Sequence, residues 1–350
     1  MEPNPQHVLW AGLALGGAFG AVAQVSRFCL LRGLRQWRGL DEGQRGGAPA
    51  LQAFALALAV ALIASQWLAF TGLIDWANVP VVRARFSVSA VFIGGLLFGV
   101  GMVLARSCGA RALVLLGSGN LRALVTLVAL GLAAQAALTG VLAPARTWLQ
   151  SWGVVTVSHA SLPPLVQSYG LSAFTAVVLA TALPALALLG LALWQPALRR
   201  SPREWLGALL VGALVAAGWW VSANVGFDPF EPIPTTSLNF VGPVADLQLY
   251  LQLSVGRKFS LGAAIVVGTL LGAMVAAQAT RTARWEGFDS PARMAASVFG
   301  GLLMGFGGVV ALGCTIGNGL AGLSALAFAS VPAIVGIVVG AMLMLGLRPR

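Results

Sequence analysis

Two apolar, glycine-rich segments of this chain repeat one another, and each ends in a cysteine. The first reads GGLLFGVGMVLARSC, from Gly94 to Cys108, and the second reads GGLLMGFGGVVALGC, from Gly300 to Cys314. They align without a gap, with glycines, leucines and the final cysteine at matching positions. Internal repeats of interrupted hydrophobic segments are typical of membrane transporters whose binding site lies where two halves meet. The repeat therefore predicts a fold built from two related halves.

The composition places the chain in a membrane. Hydrophobic residues make up 58% of the chain and charged residues only 9%, whereas a soluble domain carries about 25% charged residues. The net charge of +11 would suit nucleic acid, but the basic residues stand between apolar segments. They form no basic face of the kind that nucleic-acid binding requires. We therefore predict an all-α integral membrane protein without a nucleic-acid partner.

Apolar runs of about 20 residues, the length that crosses a bilayer, divide the chain into nine predicted spans. Their predicted bounds are 8–30, 51–74, 87–105, 121–142, 171–194, 204–222, 260–280, 294–312 and 325–347. We expect short broken or re-entrant helices in addition, one in each copy of the repeat. Residues 223–259 connect two spans, and the sequence leaves open whether they form a lid or a plug.

The basic residues predict the orientation in the membrane. With alternating spans, the loops after the first, third, fifth, seventh and ninth spans receive most of the arginines. The opposite side receives only Arg83, Arg85, Arg146, Arg257 and Lys258. Because cytoplasmic loops carry an excess of Lys and Arg, we expect the N-terminus outside and the C-terminus in the cytoplasm.

This orientation makes the two repeats inverted. The segments ending at Cys108 and Cys314 lie in the third and eighth predicted spans, so they cross the membrane in opposite directions. We predict one transmembrane domain over residues 1–350. Its parts are a first repeat at about 8–142, a linker span at about 171–194 and a second repeat at about 204–347. Inverted halves bring paired broken helices to the midplane, so the two cysteines are expected to be close in space.

Glycines beside the repeated cysteines predict helix breaks at membrane depth. Gly109 follows the first cysteine, and Gly313 and Asn318 flank the second within a glycine-rich stretch. Non-helical backbone inside a membrane is tolerated only where it lines a cavity or is buried in protein, and freed N–H groups favour an anion. We favour an anion pathway at these breaks. The alternative is that the glycines only allow close helix packing.

The third cysteine lies beside an arginine at the end of the first span. In Gln24-Val25-Ser26-Arg27-Phe28-Cys29, the polar side chains are costly without a function or an interfacial position. The alternative is that Arg27 snorkels to the interface and that all the cysteines are small buried hydrophobes. Three cysteines without a Cys-x-x-Cys pair form neither a disulfide framework nor a usual zinc site, so no cofactor is expected.

Four segments of the chain resemble those of one transporter family. Ser26-Arg27-Phe28-Cys29, Ser107-Cys108-Gly109, Gly313-Cys314-Thr315-Ile316-Gly317-Asn318 and Thr235-Thr236-Ser237-Leu238-Asn239-Phe240-Val241-Gly242-Pro243 are similar to segments of the YeeE/YedE family of bacterial sulfur-compound transporters. The resemblance implies an inner-membrane protein, not an enzyme, that takes up thiosulfate along its cysteines for sulfur assimilation. The N-terminus would then be periplasmic. A cytoplasmic TusA-like sulfur-carrier protein is the implied partner, and another sulfur or selenium species is the alternative substrate.

Thiosulfate suits a pathway lined by thiols. The dianion has one soft terminal sulfur and three hard oxygens, and a neutral thiol is a weak donor that is compatible with a large, polarisable sulfur. We expect three thiols to act in succession as neutral S–H donors: Cys29, Cys108 and Cys314. Compensating positive charge is expected from Arg27, Arg106 and Arg111.

Two other function classes remain open from the residues alone. A membrane thiol oxidoreductase would pass electrons through Cys108 and Cys314, which requires their Cα atoms within about 7 Å. The absence of a Cys-x-x-Cys pair and of a quinone-site motif argues against it. A purely structural subunit would have no use for paired broken helices. The acidic residues are expected in loops or tails, which would leave no carboxylate proton relay within the membrane.

Overall fold

The computed structural model describes residues 5–40, 47–225, 234–288 and 290–347, which are mainly helical. The α-helices are α1 Pro5–Ser26, α2 Leu30–Trp37, α3 Pro49–Phe70, α4 Val88–Leu104, α5 Gly109–Gly117, α6 Leu121–Thr139, α7 Ala143–Gln150, α8 Leu162–Gln167, α9 Ala173–Leu193, α10 Pro196–Arg199, α11 Pro202–Trp220, α12 Val241–Gln252, α13 Leu261–Ala279, α14 Pro291–Val310 and α15 Ser330–Leu347. A 3₁₀ turn spans Trp76–Asn78, and π-helical turns span Val221–Val225 and Gly317–Gly322. Two short antiparallel strands, β1 Arg85–Ser87 and β2 Val154–Thr156, pair with each other.

Nine helical stretches in the described ranges are long and apolar enough to cross a membrane. They are Gln6–Trp37, Pro49–Phe70, Val88–Gly117, Leu121–Thr139, Ala173–Leu193, Pro202–Val225, Leu261–Ala279, Pro291–Val310 and Ser330–Leu347. The prediction of an all-α membrane protein with about nine spans is confirmed. The first and third stretches are longer than predicted because a short helix, α2 or α5, continues each of them beyond a break.

Serine caps fix where the two helices of the repeat begin. Ser87 Oγ accepts the backbone N–H of Ala90 at the start of α4, and Ser290 Oγ accepts that of Arg293 at the start of α14. Each hydroxyl satisfies an N–H group that the first helical turn leaves without an intrahelical partner. The repeated glycines are thereby carried into the membrane on two well-defined helices.

The two repeated segments pack directly against each other. Gly94 on α4 lies opposite Gly307 on α14, and Gly101 lies opposite Gly300, so the two helices run antiparallel. A Cβ atom at Gly94 would stand 2.8 Å from the Gly307 carbonyl oxygen, and a Cβ atom at Gly307 would stand 2.6 Å from that of Gly94. These four glycines therefore serve close packing, whereas the helix breaks lie beyond them.

The other long helices pair reciprocally. Helix α1 packs on α13 and α3 packs on α11, while α4 packs on α15 and α6 packs on α14. These four pairs are symmetric. If α1 is matched with α11, α3 with α13, α4 with α14 and α6 with α15, each pair is converted into another pair of the set. Inverted repeats at about 8–142 and 204–347 within one domain stay a prediction, and the pairing has the symmetry that such repeats would give. Helix α9, in the predicted linker span, packs on α3.

Two acidic residues that were predicted to lie in loops lie on helices instead. Glu204 is in the first turn of α11 and Asp246 is in α12. The prediction is wrong for these two, and an ion pair offsets the charge of each carboxylate on its helix. Glu204 pairs with Arg32 at 2.7 Å, and Asp246 pairs with Arg257 at 3.1 Å. The other acidic residues lie in loops (Asp75, Glu286) or outside the described residues (Glu2, Asp41, Glu42, Asp228, Glu231, Asp289).

The loops gather at two faces of the helical bundle. We call one the β-ribbon face, because it carries β1 and β2 together with the contact between the Leu162 N–H and the Leu326 carbonyl. We call the other the arginine face, because Arg27, Arg203 and Arg284 line a cavity there.

Candidate functional site

Each of the three cysteines follows a sharp break at the end of a membrane helix. Arg27, Arg106 and Leu312 adopt left-handed backbone conformations, with φ of 53°, 58° and 65°. They come just after the last residues of α1, α4 and α14, and each stands two positions before a cysteine. A residue in the left-handed conformation commonly ends a helix. For residues other than glycine this conformation costs about 1–2 kcal/mol. The same kind of strained break therefore presents all three thiols.

The breaks bring backbone N–H groups to the sulfur atoms. Cys29 and Cys108 occupy the N-cap positions of α2 and α5, and Cys314 precedes the π-helical turn Gly317–Gly322. The N–H of Gly317 donates to Cys314 Sγ at 3.3 Å. The first N–H groups of α2 lie near the Cys29 sulfur, but none of them donates a hydrogen bond to it. Because N–H groups at the start of a helix favour negative charge, these surroundings suit an anion.

The thiols of Cys29 and Cys108 meet each other inside the protein. Their side chains lie near each other, and both are buried and free of disulfide bonds. The guanidinium of Arg111 is close enough to interact electrostatically with both thiols. Its Nη1 donates to the Ala23 carbonyl at 3.0 Å, which fixes the cation against the end of α1. The structure thus brings together three of the residues proposed from the sequence.

Thr315 connects this pair of thiols to the second half of the chain. Its hydroxyl lies against the Cys108 thiol, and it directly follows Cys314. Thr315 Oγ1 is buried and has no hydrogen-bond partner of normal geometry among the described residues. An unpaired buried hydroxyl costs about 1–3 kcal/mol, so a ligand that accepted from it would be stabilised. Thr315 could not be predicted as a site residue from the sequence, because a threonine after a cysteine carries no signal of its own.

Asn239 is the partner of the third thiol. The Cys314 Sγ–H donates to Asn239 Oδ1 at 3.6 Å. The same oxygen accepts the backbone N–H of Phe240 at 2.7 Å and that of Val241 at 3.4 Å. The Asn239 side chain therefore accepts two N–H groups at the start of α12, although Phe240 is the N-cap residue of that helix. Asn239 lies in one of the family segments, but its sequence position alone did not mark it as a site residue.

A cavity extends inward from each face of the bundle. The β-ribbon cavity, about 230 Å³ in volume, is lined by Arg83, Asn239, Gly313 and Gly317 among others. The arginine cavity, about 790 Å³ in volume, has the charged lining residues Arg27, Arg32, Arg111, Arg203, Arg284, Glu204 and Glu286. None of the cysteines is among the lining residues of either cavity, and all three are buried. The thiols thus occupy a closed segment between the two cavities.

The arginine cavity carries an excess of positive charge. Only one of its arginines forms an ion pair within the described residues, namely Arg32, whose Nη2 lies 2.7 Å from Glu204 Oε1. The Oε2 atom of Glu204 is buried without a hydrogen-bond partner in the described part of the chain. The second carboxylate of the cavity, that of Glu286, accepts from Asn120 Nδ2 at 2.6 Å. A concave surface lined mainly by one sign of charge concentrates ions of the opposite sign, so this cavity suits anions.

Arg106 lies apart from the other predicted arginines. It lines a third cavity, about 320 Å³ in volume, together with Arg122 and Arg293. The left-handed backbone of Arg106 shapes the break before Cys108. Its side chain, however, does not share a cavity with Arg27 and Arg111.

The remaining predicted site residues take different positions around the breaks. Gly109 begins α5 and packs against α6, and Gly313 lines the β-ribbon cavity. Asn318 is buried: its Nδ2 donates to the Ala311 carbonyl at 2.8 Å, and its Oδ1 accepts from the Ser330 hydroxyl at 3.4 Å. Both ends of the Asn318 amide are therefore hydrogen-bonded within the protein, and these bonds stabilise the break before Cys314.

Comparison with known proteins identifies the family. A family model described as Sulphur transport matches residues 25–343. The chain belongs to this family. The match includes all three cysteines, and it confirms the resemblance to the YeeE/YedE transporters.

Two relatives of this Sulphur transport protein align over most of their length. One from Spirochaeta thermophila, named Thiosulfate transporter TsuA, is 28% identical over 331 residues, which cover 92% of this chain and 94% of the relative. Another with the same name, from Escherichia coli, is 24% identical over 337 residues, which cover 89% of this chain and 87% of the relative. The family and these names indicate a transporter rather than an enzyme.

Proposed function

We propose that this protein takes up thiosulfate across the bacterial inner membrane and supplies it for sulfur assimilation. Both named relatives are described as thiosulfate transporters. The observation that carries the proposal is a line of buried side chains between the two cavities, formed by Cys314, Thr315, Cys108 and Cys29. The line ends at Arg111, which lines the arginine cavity.

The arginine face is proposed to be cytoplasmic. Basic residues are in excess on the cytoplasmic side of membrane proteins, and the arginine cavity opens at this face. The β-ribbon face is then periplasmic, with the N-terminus on the periplasmic side and the C-terminus in the cytoplasm. Thiosulfate would enter by the smaller cavity and leave by the larger one.

Arg83 supplies positive charge where the substrate enters. It lines the β-ribbon cavity, and its Nε donates to the Pro80 carbonyl, which holds the side chain at the rim. Partial burial lowers the pKa of Arg83 from its ordinary value, but a guanidinium remains protonated in proteins. A cation at the rim attracts a dianion from the aqueous phase.

The terminal sulfur of thiosulfate then passes from Cys314 to Cys108 and on to Cys29. Conduction requires binding that is favourable enough for the ion to enter and weak enough for it to leave, and a neutral thiol is a weak donor. The unpaired hydroxyl of Thr315 offers an O–H donor to an oxygen of the ion between the first two thiols. Arg111 and the helix N-termini at the thiols offset the cost of a buried negative charge.

The arginine cavity is proposed as the exit. Arg111 connects it to the thiols, and Arg27 shares its wall. A membrane potential of 100 mV opposes the inward movement of a dianion by about 5 kcal/mol, so removal of sulfur inside would drive uptake. A cytoplasmic TusA-like sulfur-carrier protein would provide that removal at the arginine face: a thiolate of the carrier takes the terminal sulfur as a persulfide, the S–S bond of thiosulfate breaks, and sulfite leaves.

Growth on thiosulfate tests the proposal. A bacterium deficient in sulfur uptake, supplied with thiosulfate as its only sulfur source, is expected to grow with this protein and to fail with Cys108→Ala or Cys314→Ala at equal expression. Thr269→Val is a matched control, because Thr269 is buried on α13 and its hydroxyl donates only within its own helix, to the Ile265 carbonyl. Normal growth of both cysteine variants would show that the thiols are packing residues.

Two alternatives are separated by further measurements. Growth on another sulfur or selenium source, but not on thiosulfate, would retain the transporter and change its substrate. The contact between Cys29 and Cys108 favours a thiol oxidoreductase as the second candidate function. In that case redox titration followed by alkylation would reveal a reversible disulfide whose loss abolishes activity, whereas the thiosulfate pathway requires both thiols to stay reduced.

A further inference from the structure

Asn239 separates the β-ribbon cavity from the Cys314 thiol. Its side chain lines that cavity, and its Oδ1 accepts the thiol hydrogen of Cys314 at 3.6 Å. Cys314 itself is 0% exposed and lines neither cavity. A solute in the β-ribbon cavity therefore meets Asn239 before it reaches the sulfur atom.

The orientation of the Asn239 amide follows from its partners. Its Oδ1 accepts the N–H groups of Phe240 at 2.7 Å and Val241 at 3.4 Å, a role that only the oxygen end of the amide can fill. Its Nδ2 group donates to no other residue in the described ranges. Two N–H donors thus remain for a ligand in the cavity.

We propose that Asn239 determines specificity by binding an oxygen atom of the substrate at the β-ribbon cavity, an inference that rests on the proposed function. Asn239 Nδ2 donates to an oxygen of thiosulfate, and the thiol of Cys314 turns from Asn239 Oδ1 to the terminal sulfur. No covalent bond forms or breaks in this exchange, because one hydrogen bond of the thiol replaces another.

The amide and the thiol together select an ion with two different ends. Sulfate offers oxygens but no soft sulfur, and hydrogen sulfide offers sulfur but no oxygen. Only an ion that carries both satisfies Asn239 and Cys314 at once. Gly317 preserves this arrangement, because a Cβ atom there would stand 2.9 Å from Asn239 Oδ1 and displace the amide.

The variant Asn239→Asp isolates the donor role. The aspartate carboxylate still has an oxygen that accepts the Phe240 N–H, so the start of α12 is retained. It lacks the two N–H donors of the amide, however, and it adds a negative charge. We expect the KM for uptake of radiolabelled thiosulfate to rise at least about 10-fold, the effect of losing a hydrogen bond to a charged group, with little change in Vmax. At lower external pH the carboxyl is protonated and regains an O–H donor, so the KM of the variant should fall as the pH falls.

Gln150→Glu is the matched control for charge. It adds one negative charge at the β-ribbon face and keeps the acceptor that Arg146 Nη1 uses at 3.0 Å, so its KM should equal that of the unaltered protein. If Asn239→Asp is not recovered at the normal level, Asn239→Ala, which removes both donors and adds no charge, replaces it. A KM raised about 10-fold in Asn239→Ala would support the inference.

Three results would overturn the inference. One is a KM in both Asn239 variants equal to that of Gln150→Glu. Another is a lower Vmax at unchanged KM, or a raised KM in Asn239→Asp that does not change with pH. Either result would mean that Asn239 only stabilises the start of α12. The third is an absence of thiosulfate uptake by the unaltered protein, which would remove the proposed function together with this inference.

Discussion

Arg27, Arg106 and Leu312 hold the left-handed conformation that glycine adopts without steric cost. The chain keeps large side chains there although glycine is abundant nearby. Strain of this kind persists where the surrounding structure over-determines the backbone, and it clusters at functional sites. Two positions later the chain reaches a cysteine in every case, so the strained residue sets the direction in which each thiol points.

Replacing Thr315 by valine should stabilise the protein and impair it at the same time. The change removes a buried hydroxyl that has no partner in the described structure and fills the same space. Because an unpaired hydroxyl costs about 1–3 kcal/mol, we expect a higher unfolding temperature in detergent. Thiosulfate uptake should fall about 10-fold, the effect of losing one hydrogen bond to the ion.

Thr315→Ser is the control for that prediction, because it keeps the hydroxyl and loses only a methyl group. It should retain most of the uptake rate. Normal uptake by Thr315→Val would mean that the hydroxyl does not contact the substrate.

The long helices could be predicted from the sequence because hydropathy alone determines which segments enter a membrane. Two elements could not be predicted in this way. Helices α2 and α5 start at cysteines after breaks whose left-handed residues are arginines, and an arginine does not signal a left-handed conformation as glycine does. The sequence indicated a break near Cys108 and near Cys314, but not the break before Cys29, and not that the apolar stretches continue beyond the breaks.

The crossing of α4 and α14 makes a prediction about packing. Gly307→Ala would place a Cβ atom 2.6 Å from the Gly94 carbonyl oxygen, so the helices must separate. Overpacking of this kind costs about 1–3 kcal/mol, and we expect a lower unfolding temperature and reduced uptake.

Gly190→Ala is the matched control for that substitution. Gly190 lies on α9, and a Cβ atom there would meet nothing within 4 Å. Alanine is the better helix former by about 1 kcal/mol, so the unfolding temperature should stay the same or rise. Equal unfolding temperatures for the two variants would contradict the close crossing.

At the scale of the whole molecule, the assembly of the site across the two halves limited what the sequence could predict. The thiols and Arg111 carried local signals, namely cysteines and an arginine within apolar segments. Thr315 and Asn239 carried none. Thr315 becomes a site residue only where the two halves pack together, and Asn239 only where the segment before α12 packs on the break after α14. For Arg106 the local signal was misleading. Its position two residues before a cysteine suggested a site shared with Arg27 and Arg111, but its side chain lines a different cavity.

The orientation of the molecule can be tested by labelling. Ser168 is exposed at the end of α8 on the β-ribbon side, and Arg200 is exposed after α10 near the start of α11. A membrane-impermeant maleimide should label Ser168→Cys in intact cells and Arg200→Cys only after permeabilisation. The native cysteines are buried and should contribute little background. The reverse pattern would place the arginine face outside and contradict the proposed direction of uptake.

The central claim is that thiosulfate crosses the membrane along the buried thiols, and reconstituted transport tests it most directly. The purified protein in liposomes, without any other component, would be supplied with ³⁵S-labelled thiosulfate. We predict accumulation of label with the unaltered protein, and accumulation no greater than that of empty liposomes with Cys108→Ala or Cys314→Ala. Equal accumulation by the unaltered protein and both variants would contradict the account.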